Sequence, residues 1–188
     1  MSQAFNKIFW GVLFTFIDIH IIIIDIFPDT LGYYFIYAGV KLLPVYVPSS
    51  QKVKNVAILL SIVTLPTMFY QNVVINTLGQ IPILFEWSIY YMFLELVNLI
   101  LVYYTFQLMM DIVSKWGLEA LVRRTSKTFT IYVSVTLILI LFQTFMMNMT
   151  RDFLFMYIII ASIVGIIMEI ALLILLRKYR SVKIVELV

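Results

Sequence analysis

Long apolar runs broken by short polar punctuation account for most of this chain. Crossing a hydrocarbon core of ~30 Å takes ~20 residues at ~1.5 Å per residue, and residues 8–27, 56–75, 84–110, 129–147 and 153–176 meet that length. A sixth run, 31–47, holds Gly32, Gly39, Lys41 and Pro44, and it crosses only if Lys41 extends toward the headgroups. The pattern predicts an all-α fold, a polytopic helical membrane bundle of six transmembrane helices forming one domain over 1–188. The alternative is five spans with 31–47 as a re-entrant hairpin. Between the fourth and fifth spans, Leu118, Leu121, Val122 and Thr125 share one helical face while Lys115, Glu119 and Arg123 line another. That spacing predicts an amphipathic helix over about 113–126 lying on the cytoplasmic surface. It can hold anionic lipid or a regulatory partner, or act only as a connector that fixes orientation.

Composition agrees with the pattern. The 188 residues are 63% hydrophobic and 12% charged, against about 45–50% and about 25% in ordinary globular domains. Charge placement orients the bundle. With both termini cytoplasmic, Lys7, Lys41, Lys52, Lys54, Lys115, Arg123, Arg124, Lys127, Arg177, Lys178, Arg180 and Lys183 fall inside and only Arg151 falls outside. The expected location is a plasma membrane, and the first apolar run, which ends in "DIFPD" rather than a small-residue cleavage site, reads as a retained helix. Trp10, Tyr46, Trp116 and Tyr179 near the inner face, and Tyr33, Tyr34, Trp87 and Tyr90 near the outer one, supply the aromatic belts.

Within this apolar background the ionisable groups stand out. The stretch "FIDIHIIIIDIFPDTLGYYF" carries Asp18, His20, Asp25 and Asp29. Counting along the spans sets Asp18 and Glu95 near mid-membrane and Glu169 in the inner half. A charged group at that depth costs ~2.5–3.5 kcal/mol and therefore faces a bundle interior or a cavity. No Lys or Arg lies deep enough to neutralise these carboxyls, so His20, Asn98, Gln107, Gln143 and Ser162 are their expected company. Asn98 follows Glu95 by three residues and Tyr91 precedes it by four, making a polar patch. Ser162, Gly165 and Glu169 form a stripe suited to close helix packing.

Two readings of Asp18, Glu95 and Glu169 stand side by side. They form a proton or cation site, with His20 and Asn98 in attendance, or they are neutral carboxyls hydrogen-bonded across helices to hold the bundle together. Asp25, Pro28, Asp29 and Gly32 have a simpler role as a tight outer hairpin: Pro28 stops one helix, Asp29 or Thr30 caps the next, and Gly32 allows close approach.

Other chemistry is thinly represented. Cysteine is absent and His20 is the single histidine, which argues against disulfides, thiolate catalysis and metal centres. No nucleophile-elbow, zincin, Walker or dinucleotide-binding motif occurs, so no enzyme and no cofactor is expected. The net charge of +3 comes from helix ends, which gives no reason to expect nucleic acid.

The run "DIFPDTLGYYFIYAGVKLL", with the preceding "IDIHI", resembles the opening helical hairpin of uncharacterised multi-spanning membrane proteins from Bacillus and Clostridium relatives, where an apolar helix ends in an acidic-Pro-Asp turn followed by Gly and an aromatic residue. The resemblance covers residues 16–43 and implies a bacterial membrane protein of several spans, with no activity to carry over. The expected function is a non-enzymatic, partner-binding, regulatory or scaffold component that meets the lipid bilayer, another membrane protein or a second copy of itself. The alternative is a small proton- or cation-coupled transporter using its midplane carboxyls.

Overall fold

Among the described residues, six helices alternate in direction through a single bundle, three of them short and three long. The computed structural model describes residues 1–16, 20–21, 24–25, 29–43, 47–69, 85–146 and 149–181. Helix α1 covers Ser2–Phe16, α2 Asp29–Lys41 and α3 Pro48–Val63, followed by a 3₁₀ turn at Leu65–Phe69. Helices α4 Phe85–Lys115, α5 Glu119–Met146 and α6 Arg151–Ser181 follow. Among the described residues, three helices are long and apolar enough to cross a membrane, over Ile89–Lys115, Glu119–Phe145 and Asp152–Ser181. At ~1.5 Å per residue, α1 to α3 reach only ~20–24 Å, short of a ~30 Å core.

The first three elements therefore differ from the expected spans, for local reasons. Helix α1 stops at Phe16 instead of running to Phe27, and strands β1 (His20–Ile21) and β2 (Ile24–Asp25) pair antiparallel, His20 opposite Asp25. Ile21 and Ile24 are β-branched, which disfavours helix and suits extended backbone. Helix α3 begins eight residues earlier than the expected span, with Pro48 in its first turn, where a missing N–H is harmless. It ends at Val63 because Pro66 cannot donate the next helical bond, and Thr64 closes the end by bonding Leu60 O through both its amide and its hydroxyl.

The expected surface helix over 113–126 is divided between two long helices. At the end of α4 the Leu118 amide donates to Val113 O and the Gly117 amide to Ser114 O, with Gly117 at φ 66°. This left-handed glycine turn is a Schellman stop, which a residue with a side chain would enter at a cost. Residues 119–126 then belong to the first turns of α5.

Tertiary contacts link the helices in a ring. Helix α1 packs on α2, α2 on α3, α3 on α4, α4 on α5 and α6 back on α1, while α5 and α6 approach one another least. The α1–α2 contact is the tightest. A Cβ added at Gly11 would lie 2.7 Å from Gly32 O, one at Gly32 2.8 Å from Gly11 O, and one at Gly39 2.8 Å from Ala4 O. These are close backbone approaches of the small-residue kind that drive helix pairing in lipid. Thr30 reaches α3 through Thr64 (3.1 Å), and Ser61 donates to Thr30 O. Thr30 thus joins α2 to α3.

Side-chain ties fix which helix ends lie together. Ser49 of α3 bonds Asp111 of α4, and Lys52 sits over the Tyr104 ring at 5.3 Å. Tyr179 of α6 bonds Thr125 of α5 at 2.6 Å and packs on Phe5 of α1, ring centroids 5.2 Å apart. One end of the bundle therefore gathers Lys7, Lys41, Lys52, Lys54, Lys115, Arg123, Arg124, Lys127, Arg177, Lys178 and Arg180. The core leans toward this basic end: every fully buried residue of α6 falls between Leu172 and Tyr179. Phe106 of α4 fills the middle, its ring tilted against those of Phe129 and Tyr132 of α5 with centroids 5.5 and 5.8 Å apart.

Candidate functional site

Toward the other end, α5 and α6 part and a cavity of about 390 Å³ opens among α4, α5 and α6. Helix α4 contributes Glu95, Asn98, Leu99 and Val102 to its wall. These positions recur every three or four residues and so form one helical stripe. Helix α5 presents Tyr132, Thr136, Leu139, Ile140 and Gln143 by the same spacing, and α6 presents Tyr157, Ile158, Ala161, Ser162, Gly165, Met168 and Glu169.

Each carboxyl has its own neighbours. The Tyr132 hydroxyl donates to Glu169 Oε1 at 2.5 Å, a bond from α5 to α6. Glu169 is half-buried. Glu95 is exposed at the cavity mouth, in the same lining as Gln143 of α5 and Tyr157 of α6. The Tyr157 hydroxyl donates to Leu139 O at 2.6 Å. Polar bonds of this kind bridge α5 and α6 where their backbones stand apart.

Both carboxyls line the cavity, Glu95 from α4 and Glu169 from α6. A second, far smaller cavity of about 20 Å³ lies behind Asn98 and Glu169, lined also by Thr15, Ile36 and Thr105. That is room for one water molecule with polar partners.

Of the residues singled out in the sequence, Glu95, Asn98, Gln143, Ser162 and Glu169 come together here. Gln107 does not; it donates to the Tyr103 hydroxyl at 2.7 Å on an exposed face. Tyr91 is also exposed and packs beside Tyr90 rather than in the cavity. Asp18 and Pro28 lie outside the described residues, and His20 and Asp25 belong to the β1–β2 hairpin. Asp29 and Gly32 open α2. The stripe of Ser162, Gly165 and Glu169 was expected to pack against a helix and instead faces the opening. A Cβ added at Gly165 meets nothing within 4 Å, and Ser162 is exposed.

Tyr132, Thr136 and Tyr157 escaped the sequence reading. Tyr132, Thr136 and Gln143 occupy i, i+4 and i+11 of one helix, a polar stripe that periodicity alone could have shown. Among the described residues no three His, Asp or Glu side chains gather closely enough to hold a metal ion. No protein-family model, curated protein or solved structure matches the chain.

Proposed function

We propose that the protein is a six-span plasma-membrane protein with both termini cytoplasmic, its short α1 to α3 met by a locally thinned bilayer, working without catalysis as a small proton- or cation-coupled carrier through the cleft among α4, α5 and α6. One observation supports this reading above the others: Glu95 and Glu169, from different helices, line a single cavity with Asn98, Gln143 and two tyrosines. Carboxyls at membrane depth are costly, and their use as ion or proton stations is a common reason to keep them. The splayed α5–α6 pair supplies an opening, and the tightly packed α1–α2 pair supplies a fixed frame against which it can move.

Reconstitution in liposomes tests the proposal. Proton or sodium flux driven by an imposed gradient is expected above background for the unmodified chain and at least tenfold lower for Glu95→Gln and Glu169→Gln. Background flux for all three proteins would sink the carrier.

A partner-binding or scaffold role is the second reading, and Glu95 itself favours it. The residue is exposed on the bundle surface, and a neighbouring membrane protein or a second copy would cover it. Recovery of this chain alone in a mild-detergent pull-down would count against that role.

A further inference from the structure

We infer that the corner between α4 and α5 holds the headgroup of an anionic phospholipid, its phosphate gripped by Arg123, Ser126 and Lys127. Such a site needs only that α4 and α5 cross a bilayer, and it is independent of what moves through the cleft.

The left-handed turn at Gly117 shapes the corner. Because α4 stops there and α5 restarts at Glu119, the chain doubles back around an open cavity of about 690 Å³. Leu118, Glu119, Val122, Arg123, Ser126 and Lys127 are in its wall. Ser126 and Lys127 follow Arg123 by three and four residues, which puts both one turn from it, with Cβ atoms ~5–6 Å away. All three side chains are exposed donors, and among the described residues none of them has an ion pair or a side-chain hydrogen bond. A guanidinium fork with an ammonium and a hydroxyl beside it is the complement of a phosphate. Glu119 is the one acid in the wall. It precedes Arg123 by a turn on the side away from the bilayer, where it offers an acceptor to a headgroup hydroxyl beyond the phosphate.

Depth selects a lipid as the source of that phosphate. The apolar run 129–147 reaches ~28 Å and by itself fills a ~30 Å core. Lys127, Ser126 and Arg123 therefore stand ~3–9 Å outside the hydrocarbon, in the headgroup layer where lipid phosphates lie. Trp116, next to Gly117, is exposed at the same end, as suits a ring at the membrane interface. Leu118 and Val122 give the cavity apolar wall for the glycerol and first chain carbons, which a free phosphate would leave uncovered. A diffuse positive field, of the kind that orients any multi-spanning chain, acts through every cation at this end alike. A built cavity makes two of them count more than the rest.

Native mass spectrometry of the full chain, stripped of lipid in detergent and titrated with one lipid at a time, separates the two cases. Phosphatidylglycerol is expected to bind at least about tenfold tighter than phosphatidylcholine. The double variant Arg123→Gln with Lys127→Gln should bring it down to the phosphatidylcholine level. Lys7→Gln with Lys41→Gln removes the same charge from exposed positions on α1 and α2 and should change the affinity less than about twofold. All four substituted side chains are exposed, so each variant should keep the helical circular dichroism spectrum of the unmodified chain. Equal losses in the two double variants, or no preference for phosphatidylglycerol over phosphatidylcholine, overturns the proposal. Displacement of bound phosphatidylglycerol by millimolar glycerol phosphate overturns it as well, by assigning the corner to a soluble phosphate ester.

Discussion

Two helix pairs in this bundle use glycine in opposite ways. In α1–α2, Gly11, Gly32 and Gly39 sit where an added Cβ would press within 2.8 Å of the facing helix or closer. In α5–α6, Gly165 faces open space. The first pair has traded side chains for backbone proximity, which in lipid is a main source of helix affinity. The second pair is held by long side chains, Tyr132 to Glu169 and Tyr157 to Leu139 O, spanning a gap. A small residue in a span therefore marks close packing only when its neighbour helix arrives, and the same residue beside polar groups lines a cavity instead.

This contrast can be broken most directly by chemistry the native chain lacks. With no cysteine in the sequence, Gly165→Cys and Ala57→Cys each place one thiol. Ala57 is fully buried, and a buried site reacts only when the structure opens. A small water-soluble thiol reagent should modify Gly165→Cys at least about a hundredfold faster than Ala57→Cys. Similar rates would remove the distinction between cleft and core.

Stability measurements come next in size. Gly11→Leu forces four carbons into a closed contact and should cost about 3 kcal/mol or more, at the upper end of overpacking penalties, read by thermal unfolding followed by circular dichroism in detergent. Gly165→Leu should change stability by less than about 1 kcal/mol in the same assay. A loss at Gly165 equal to that at Gly11 would show that α5 and α6 close on each other. Smaller still is Tyr132→Phe, which deletes the bond to Glu169 and should cost about 1 kcal/mol, within the range of interhelical hydrogen bonds in membranes. The smallest expected change is Thr30→Val at the α2–α3 contact, about 0.6 kcal/mol, because Thr64 retains its bond to Leu60 O.

The long helices were legible because length and apolarity suffice to define them. All of 153–176 falls inside α6, and the run 84–110 falls inside α4 from Phe85 onward. The short helices were obscured by local chemistry that hydropathy ignores. Pro66 lies within the apolar run 56–75, and hydropathy runs through it, whereas the backbone cannot. Ile21 and Ile24 score as strongly apolar, yet their branching favours extended backbone. Gly117 divides a stretch whose amphipathic periodicity reads as continuous, because period reports faces and says nothing about φ. The same division runs through the site. Glu95, Asn98, Gln143 and Glu169 were visible as polar residues in apolar surroundings. That Glu169 answers to Tyr132 rather than to the small stripe on its own helix depends on how far α5 stands from α6, which no single segment encodes.

The clasp of Phe5, Tyr179 and Thr125 has a consequence for assembly. It ties α1 to α6, the first and last described helices, across the whole length of the chain. During synthesis α1 and α2 can pair at once, since their contacts are local and such contacts form quickly. The face of α1 that receives α6 must wait until α6 has been made. Until then Phe5, fully buried in the finished bundle and packed on Tyr179, lacks that cover. The bundle therefore closes last at its basic end, and a chain cut short before α6 would leave an open seam there, a natural mark by which an unfinished copy could be told from a complete one.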